Sequence, residues 1–381
     1  MSGTDPLEPG GMSAPPDTGG PDTGGYDTSG IDTSLPQPFP RREPRDAAAE
    51  TRVTRLSHAQ YQHTVQDLFG IRDSLDLTFA PDALNGFAFD TSNDFRVDTR
   101  LGPQYRAMAE TLAQRAVTDA AIFARIVPCD PAAPSTPDCA AQFLSTFGER
   151  AFRRPLSDEE AQSFRQLFDL GAQLMQSGDA FRDGMQLALE AMLQSPQFLY
   201  RTDSSLQAGP DGRVVLSDWE VASRLSYFLY DSMPDAELFD AARGARLHTP
   251  DQIETEARRM LTHPRVLAKL GSFHEQVWQF GRFSRISPDR ATYPNVPSNF
   301  VSRVSQSAQQ FVGAVLANGG GLEELLTAPY AYVDDGLAPL YGVSVEGQAG
   351  TFQRVDFSGG ERQGLLMQVG YLASNSYAIK T

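Results

Sequence analysis

Four helix-start signals of one kind are spaced along this chain, and they limit its fold more than any other feature. In each signal a serine or threonine is followed three residues later by glutamate or glutamine, which is the pattern of a capping box. The signals begin at Ser57, Ser157, Ser217 and Thr249, and Gly70 would end the first helix. Because both side chains of a capping box satisfy backbone N–H groups at a helix N-terminus, each signal predicts that a helix begins there.

The apolar residues after these signals recur at helical spacing. Leu216, Val221, Leu225 and Phe228 form one such stripe after the third signal. Strand-like alternation is rare, and its best example is residues 351–357. We therefore predict a mainly α fold of multi-helical modules in tandem, with little β structure. Further helices are predicted over residues 103–127, 139–149, 179–195, 264–280 and 298–317.

Residues 72–100 depart from the helical pattern. Four phenylalanines lie there among Pro, Asn, Asp and Gly, which predicts an irregular, ordered loop held by aromatic side chains. They are Phe79, Phe87, Phe89 and Phe95. Acidic and amide side chains of the loop could surround a cation, but the EF-hand pattern is absent, so Asx-turns and helix caps are the favoured use. These side chains are Asp90, Asn93, Asp94 and Asp98.

Residues 1–50 are rich in Gly, Pro, Ser, Thr and Asp and contain few apolar residues. An Asp-Thr pair recurs at Asp17, Asp22, Asp27 and Asp32. Such a segment buries too little apolar surface to offset its conformational entropy, so we predict a disordered tether. A calcium-binding repeat is the alternative, although calcium-binding β-helix repeats have a period of about nine residues and a stacked scaffold. Since tethers of this kind commonly follow a secretion or lipidation signal, we expect an export signal upstream.

Cys129 and Cys139 bracket a segment that contains three prolines. Prolines do not fit inside a helix, so the segment is predicted to be a loop, which a disulfide would stabilise by roughly 3 kcal/mol. Two free thiols or a metal site are the alternatives, but the nearest histidines in sequence are His63 and His248, so a metal site lacks ligands. We predict the disulfide and therefore an oxidising compartment, which is periplasmic, outer-surface or extracellular.

The composition argues against several function classes. The net charge of −16 would repel a phosphate backbone, so nucleic-acid binding is not expected. Lys269 and Lys380 are the two lysines of the chain, which argues against Schiff-base chemistry. No apolar run approaches the ~20 residues that a membrane-spanning helix needs, so no membrane span is predicted.

Several long segments carry a resemblance to a known family. Residues 55–70, RLSHAQYQHTVQDLFG, resemble a first-module pattern RLTxxEYxNTVxDLxG, and three further signatures follow in order at 147–160, 216–235 and Arg362 onward. The chain thus resembles the planctomycete- and myxobacterial-type family of exported proteins built from consecutive domains of unknown function. On this resemblance the modules are predicted at residues 51–138, 139–205, 212–345 and, incompletely, 350–381.

The resemblance implies export, and it implies that longer members of the family attach a c-type haem through a C-x-x-C-H segment. This chain contains no such segment, so no cofactor is expected within it. His58 and His63 stand at variable or Asn positions of the first-module pattern and are not interpreted as ligands. Because no activity is established for these modules, the resemblance supplies no catalytic residue.

The chain lacks the motifs of serine hydrolases and of nucleotide-binding proteins. His274 and Glu275 resemble the start of H-E-x-x-H, but Trp278 stands at the second ligand position, so His274 is interpreted as structural. Acidic pairs are plentiful, and those at helix starts are interpreted as caps, since a glycosidase pair would need a defined separation. The pairs include Asp158/Glu159/Glu160, Asp231/Asp235, Glu323/Glu324 and Asp334/Asp335.

Arginines and aromatic residues within the family signatures form a candidate ligand face. Arginines in an acidic helical protein usually form ion pairs that fix helix contacts, and aromatic residues usually pack in the core. The alternative is a site for an anionic ligand, a sugar or a porphyrin. The candidates are Arg153, Arg154, Arg201, Trp219, Arg224 and Tyr227.

Two functions from different classes remain open at this point. The first is the scaffold and partner-binding part of a haem-linked periplasmic or surface redox protein. The second is a non-enzymatic surface protein that binds polysaccharide or another protein. A third, weaker alternative is a hydrolase that uses acidic residues of the 72–100 loop.

Overall fold

A computed structural model describes residues 53–81, 95–130, 137–203, 214–357 and 362–376. The predicted tether over residues 1–50 lies outside the described residues. The same holds for Lys380 and for the loop residues Phe87, Phe89, Asp90, Asn93 and Asp94.

Short α-helices follow one another along the described chain, which confirms the prediction of a mainly α fold. In the N-terminal half they are α1 (His58–Phe69), α2 (Leu101–Thr118), α3 (Ala120–Ile126), α4 (Pro137–Phe152), α5 (Asp158–Leu174), α6 (Ala180–Gln194) and α7 (Pro196–Leu199). In the C-terminal half they are α8 (Asp218–Leu229), α9 (Ala236–Arg243), α10 (Pro250–Leu261), α11 (Pro264–Val277), α12 (Phe300–Ala317), α13 (Leu322–Thr327), α14 (Ala338–Tyr341) and α15 (Val369–Ser374). Two 3₁₀ segments, Phe280–Arg285 and Leu365–Met367, complete the set.

Two small antiparallel sheets are the β structure of the described residues. In the first, β1 (Val53–Arg55) pairs with β2 (Tyr200–Thr202), and Thr54 lies opposite Arg201. In the second, β3 (Tyr330–Val333) pairs with β4 (Gln353–Asp356), which falls inside the predicted strand at 351–357. The first sheet brings the segment before α1 beside the segment after α7.

All four predicted capping boxes are present. The side chains of Ser57, Ser157, Ser217 and Thr249 each accept a hydrogen bond from the backbone N–H three residues later. In return, the backbone N–H of each donates to the Gln or Glu side chain at that later position. Gly70 ends α1 at a φ of 73°, a left-handed conformation that glycine adopts without strain. The local start signals therefore determine where α1, α5, α8 and α10 begin.

The single helix predicted over 103–127 is two helices, which corrects that prediction. Asp119 lies between them with an extended backbone, at φ −81° and ψ 113°. Its carboxylate accepts hydrogen bonds from the N–H groups of Ala121 (2.9 Å) and Ile122 (3.2 Å). Because aspartate is among the best N-cap residues, it ends α2 and begins α3 within one continuous apolar pattern.

Buried side chains form three clusters, which we name the N-terminal, middle and C-terminal cores. The N-terminal core runs from Leu56 to Leu199 and also includes Tyr227, Met233 and Phe239, so the predicted first and second modules share one core. The middle core joins α8, α9 and α10. The C-terminal core joins α12 to β3 and also contains Leu365, from the predicted fourth module. Among the helices of these described segments, none is both long and apolar enough to cross a membrane.

The predicted disulfide is confirmed, with 5.8 Å between the Cα atoms of Cys129 and Cys139. The described part of the aromatic loop also packs inward. Phe79 lies 4.7 Å from the Tyr105 ring, measured between centroids, and Phe95 is buried. Asp98 caps the start of α2 by accepting hydrogen bonds from the N–H groups of residues 100 and 101.

Candidate functional site

A groove of about 1010 Å³ lies between α8 and α11. We call it the α8–α11 groove. It is lined by Val221, Leu225 and Phe228 of α8 and by Val266, Leu270 and Phe273 of α11. Its volume is at the upper end of the roughly 300–1,000 Å³ of small-molecule sites. Residues from β1, α1 and β2 add a polar lining to these apolar walls.

Helix α8 presents an apolar stripe to this groove as well as to the middle core. Its capping box holds the first turn, since the Glu220 carboxylate accepts a hydrogen bond from the Ser217 N–H at 2.7 Å. Ala222 and Leu229 are buried in the middle core, and Val221 and Leu225 are partly packed against it. The stripe predicted from sequence therefore lines the groove, and Phe228 at its end is 74% exposed.

Helix α11 forms the opposite wall, and its apolar side chains are largely uncovered. Val266 is the one buried residue of this helix, whereas Phe273 is 45% exposed. Leu267, Leu270 and Val277 are exposed as well. Apolar surface gathered in this way marks binding sites more often than singly scattered side chains do.

Arg201 is the polar group of the groove that lacks an ionic partner. Its Nε atom is buried and has no hydrogen-bond partner, and no carboxylate among the described residues is ion-paired with its guanidinium. Burial is the main cause that lowers the pKa of Arg201; Arg153 and Arg224 lower it as well, whereas Tyr227 and Asp203 raise it. A partly desolvated cation without a counter-ion is unfavourable, so this position favours an anion.

The other two cations of the groove are already paired. Arg224 binds the Asp203 carboxylate through Nε at 3.0 Å and also through Nη2, and this hydrogen bonding raises the pKa of Arg224. Lys269 Nζ lies 2.7 Å from Asp231 Oδ1. Asp203 is the carboxylate nearest to Arg201 in sequence, and it forms its ion pair with Arg224 instead.

The aromatic ring of Tyr227 packs against the guanidinium of Arg201. The Arg201 guanidinium carbon lies 5.0 Å from the centroid of the Tyr227 ring, which is within cation–π distance. The guanidinium carbon of Arg153 lies 5.8 Å from the same centroid. The Tyr227 hydroxyl is 2.8 Å from Thr64 Oγ1. The ring is thus fixed by α1 and engaged by two cations.

Arg153, which the sequence placed on the candidate ligand face, is buried and does not line the groove. It is 3% exposed and holds a left-handed backbone with φ 59°. Its guanidinium donates to the carbonyl oxygens of Gln197 (2.6 Å), Phe198 (3.1 Å) and Tyr200 (2.8 Å). Those carbonyls lie at the C-terminal end of α7, so Arg153 serves as an internal cap of that helix.

The structure brings together three of the six candidates at the groove, namely Arg201, Arg224 and Tyr227. Arg154 instead forms two hydrogen bonds of 2.8 Å with Glu160 at the start of α5. Trp219 packs against Phe239, with 6.2 Å between the ring centroids. Sequence reasoning missed the α11 wall, although the apolar residues of the predicted helix 264–280 were the signal for it.

A network of charged and polar groups holds the two walls in place. Asp231, buried and at φ 57°, accepts hydrogen bonds from Lys269 and, at 3.1 Å, from Gln60 Nε2 of α1. Beside it, Arg265 at the start of α11 binds both oxygens of Asp67 at 2.6 and 2.5 Å. These contacts hold α11 against α1. The distance between the α8 and α11 walls is therefore set by contacts with α1 as well as by contacts between the two walls.

The other candidates are engaged in structural contacts. Trp278 Nε1 donates to His274 Nδ1 at 3.3 Å, and burial lowers the pKa of His274. Asp235 caps α9 and binds Arg259, while buried Asp334 binds Arg303. Within the described residues, no group of three or more His, Cys, Asp or Glu side chains is arranged to hold a metal ion.

Three family descriptions match the chain in sequence. Residues 54–118 match PSD3, a protein of unknown function (DUF1587), and residues 139–203 match PSD5 (DUF1595). Residues 216–343 match PSD4 (DUF1592). The chain carries three consecutive domains of unknown function. Neither a curated protein nor a solved structure matches it.

The α8–α11 groove draws residues from all three of these domains. Thr54 and Gln60 come from the DUF1587 domain, Arg201 to Asp203 come from the DUF1595 domain, and both walls come from the DUF1592 domain. The groove is therefore a product of their assembly, and a change in one domain alters the surface that the others present.

Proposed function

We propose that the three domains together form the binding part of an exported protein, and that the α8–α11 groove is its binding site. The observation that carries this proposal is the position of Arg201, whose unpaired guanidinium lines a groove of about 1010 Å³ with apolar walls. A partly buried cation without an ionic partner is unfavourable unless a ligand satisfies it, and binding would supply that partner.

The apolar walls supply the energy for binding. Burying a Phe or Leu side chain completely contributes about 1.5–3 kcal/mol. Phe228, Leu270 and Phe273 are all exposed at the groove. A ligand that covers much of these three gains several kcal/mol, and micromolar affinity requires about 8 kcal/mol.

The groove is also fixed before a ligand arrives, which lowers the entropic cost of binding. The α8 wall is held by a capping box and the α11 wall by the Asp231–Lys269 and Asp67–Arg265 pairs. A rigid site of this kind favours a ligand that fits the existing groove over a ligand around which the protein would have to rearrange.

The geometry favours an apolar ligand over the polysaccharide alternative. Nine of the twenty residues that line the groove are Val, Leu, Ile or Phe, whose side chains cannot form hydrogen bonds with sugar hydroxyls.

Binding in the groove is tested with Nile red, a neutral apolar dye that fluoresces when it leaves water. We expect saturable binding of micromolar affinity to the intact chain. Phe228→Asp places a charge on an exposed wall residue and should weaken binding about tenfold. Leu174→Asp is the matched control, because Leu174 is 66% exposed on α5 and lies outside the groove. Equal loss in both variants, or no binding at all, would reject the groove as the site.

Export is part of the same proposal, and the Cys129–Cys139 disulfide supports it. Protein isolated from its own host without reductant should contain no free thiol and should fractionate with the periplasm or cell surface. Reduced thiols in a cytoplasmic fraction would contradict this.

A haem-linked role is the finer form of the proposal, and the sequence resemblance supports it. Both cysteines of the chain are consumed by the disulfide, so thioether attachment of a haem needs cysteines outside this sequence. An antibody against this chain should therefore detect a host product that also stains for covalent haem. A host product that reacts with the antibody but lacks haem would remove this role and leave the binding groove unaffected.

A further inference from the structure

We infer that the α8–α11 groove takes a long-chain carboxylic acid, with its carboxylate on Arg201 and its acyl chain along the walls of α8 and α11. This inference rests on the proposed function and names the ligand of that site.

Among the described residues that line the groove, Arg201 is the cation without an ion pair. Three cations line it, and two of them have anionic partners: Arg224 has Asp203, and Lys269 has Asp231. Glu220 is held in the capping box with Ser217. Arg201 is the remaining cation of the described lining, so an incoming anion would give it a partner.

A carboxylate fits this position better than a phosphate group. The planar guanidinium fork can bind two oxygens of either a carboxylate or a phosphate at once, so the charge of the ligand decides between them. The carboxylates of Asp203 and Glu220 line the same groove, so a dianion would meet two negative charges there. A monoanion satisfies Arg201 with less repulsion.

An acyl chain fits the remainder of the groove. Besides Arg201, the lining includes Leu216, Val221, Leu225 and Ile253, which have no hydrogen-bonding side chains and no rings. The opposite wall continues along Leu270 to Phe273, one turn further on α11. A flexible chain of methylenes follows such a wall without requiring polar partners, and each buried methylene adds to affinity.

The test compares ligands with one chain length and different head groups. Dodecanoate, dodecan-1-ol and dodecyl phosphate are titrated below their micelle concentrations, and displacement of Nile red is measured. We expect dodecanoate to bind at least tenfold more tightly than the uncharged alcohol and more tightly than the phosphate. Arg201→Met should reduce the preference for dodecanoate over the alcohol to less than threefold while Nile red still binds.

Two further variants separate recognition by Arg201 from a general loss of structure. Arg201→Lys keeps the charge but loses the fork, so its preference for dodecanoate should be intermediate. Arg154→Met is the matched control, because Arg154 pairs with Glu160 away from the groove and its removal should leave the preference unchanged. Thermal unfolding of each variant shows that the fold is intact.

The outcomes distinguish the two proposals. If Nile red binds but the acid and the alcohol bind equally, or the preference survives in Arg201→Met, the carboxylate inference is overturned and the groove remains a binding site. Tighter binding of dodecyl phosphate would also overturn it. If neither the dye nor any of the dodecyl ligands binds, both the inference and the proposed function fall.

Discussion

The guanidinium of Arg201 lies over one aromatic ring, that of Tyr227, at 5.0 Å from its centroid, and the buried Arg153 is the second cation beside that ring. The two arginines differ in what they bind. Arg153 donates to three backbone carbonyl groups, whereas Arg201 Nε has no hydrogen-bond partner. One of them is therefore needed for the fold, and the other is available to a ligand.

This difference predicts opposite effects on stability. Arg153→Met leaves three carbonyl groups at the end of α7 without their donor, so we expect a loss of about 3 kcal/mol in the free energy of unfolding. Arg201→Met removes an unpaired, half-buried charge, so we expect no loss and a gain of up to about 1 kcal/mol. Denaturant unfolding at pH 7 measures both, and equal destabilisation by the two variants would contradict the distinction.

The Asp231–Lys269 pair predicts a second stability effect, centred on the groove. Asp231→Ala leaves Lys269 without its buried partner and places alanine at a φ of 57°, so we expect a loss of about 3 kcal/mol. Asp231→Asn should lose less, because asparagine tolerates the left-handed backbone and still accepts a hydrogen bond.

The matched control for this pair is a double-mutant cycle. Adding Lys269→Met to Asp231→Asn removes the uncompensated charge, so the double variant should be more stable than the sum of the single effects predicts. Additivity within about 0.3 kcal/mol would show that the pair does not hold the α11 wall.

The helix starts were predictable from sequence because their signals are local. A capping box needs only four consecutive residues, and the boxes that begin at Ser57 and Ser217 form in the folded chain as the sequence predicts. The division at Asp119 was missed because the apolar pattern on both sides of it continues without a break, and a single side chain decides the outcome.

The groove itself could not be predicted, because it depends on which distant groups meet. The stripe that ends at Phe228 has ordinary helical spacing, and the sequence does not show that Phe228 stays 74% exposed in the folded chain. Arg201 is free for a ligand because Asp203 pairs with Arg224, and nothing in the sequence decides between these two arginines. The sequence therefore identified Arg201, Arg224 and Tyr227 as candidates without showing that they converge.

The Arg154–Glu160 pair predicts a pH dependence of stability. Hydrogen bonding to Arg154 is the main cause that lowers the pKa of Glu160 in the folded chain. A lowered folded pKa means that the pair stabilises the protein above the unfolded pKa of about 4.5 and loses this effect as the pH falls through the folded pKa. Because the pair is partly exposed and screened, we expect it to contribute about 0.5–1 kcal/mol at pH 7.

Glu160→Gln tests this dependence, since glutamine keeps the capping box and removes the charge. The variant should be less stable than the parent chain at pH 7, and the difference should disappear in strongly acidic solution. A difference in unfolding free energy that stays constant from neutral to acidic pH would show that the charge is not its cause.

The disulfide gives the last prediction. Cys129 and Cys139 are separated by ten positions, and closing a loop of that size stabilises the folded state by roughly 3 kcal/mol, by restricting the unfolded chain. Reducing the parent chain with dithiothreitol should therefore lower its melting temperature by several degrees. The double variant Cys129→Ser with Cys139→Ser should melt at that lower temperature whether or not reductant is present. If reductant lowers the melting temperature of the double variant as well, the effect does not come from this bond.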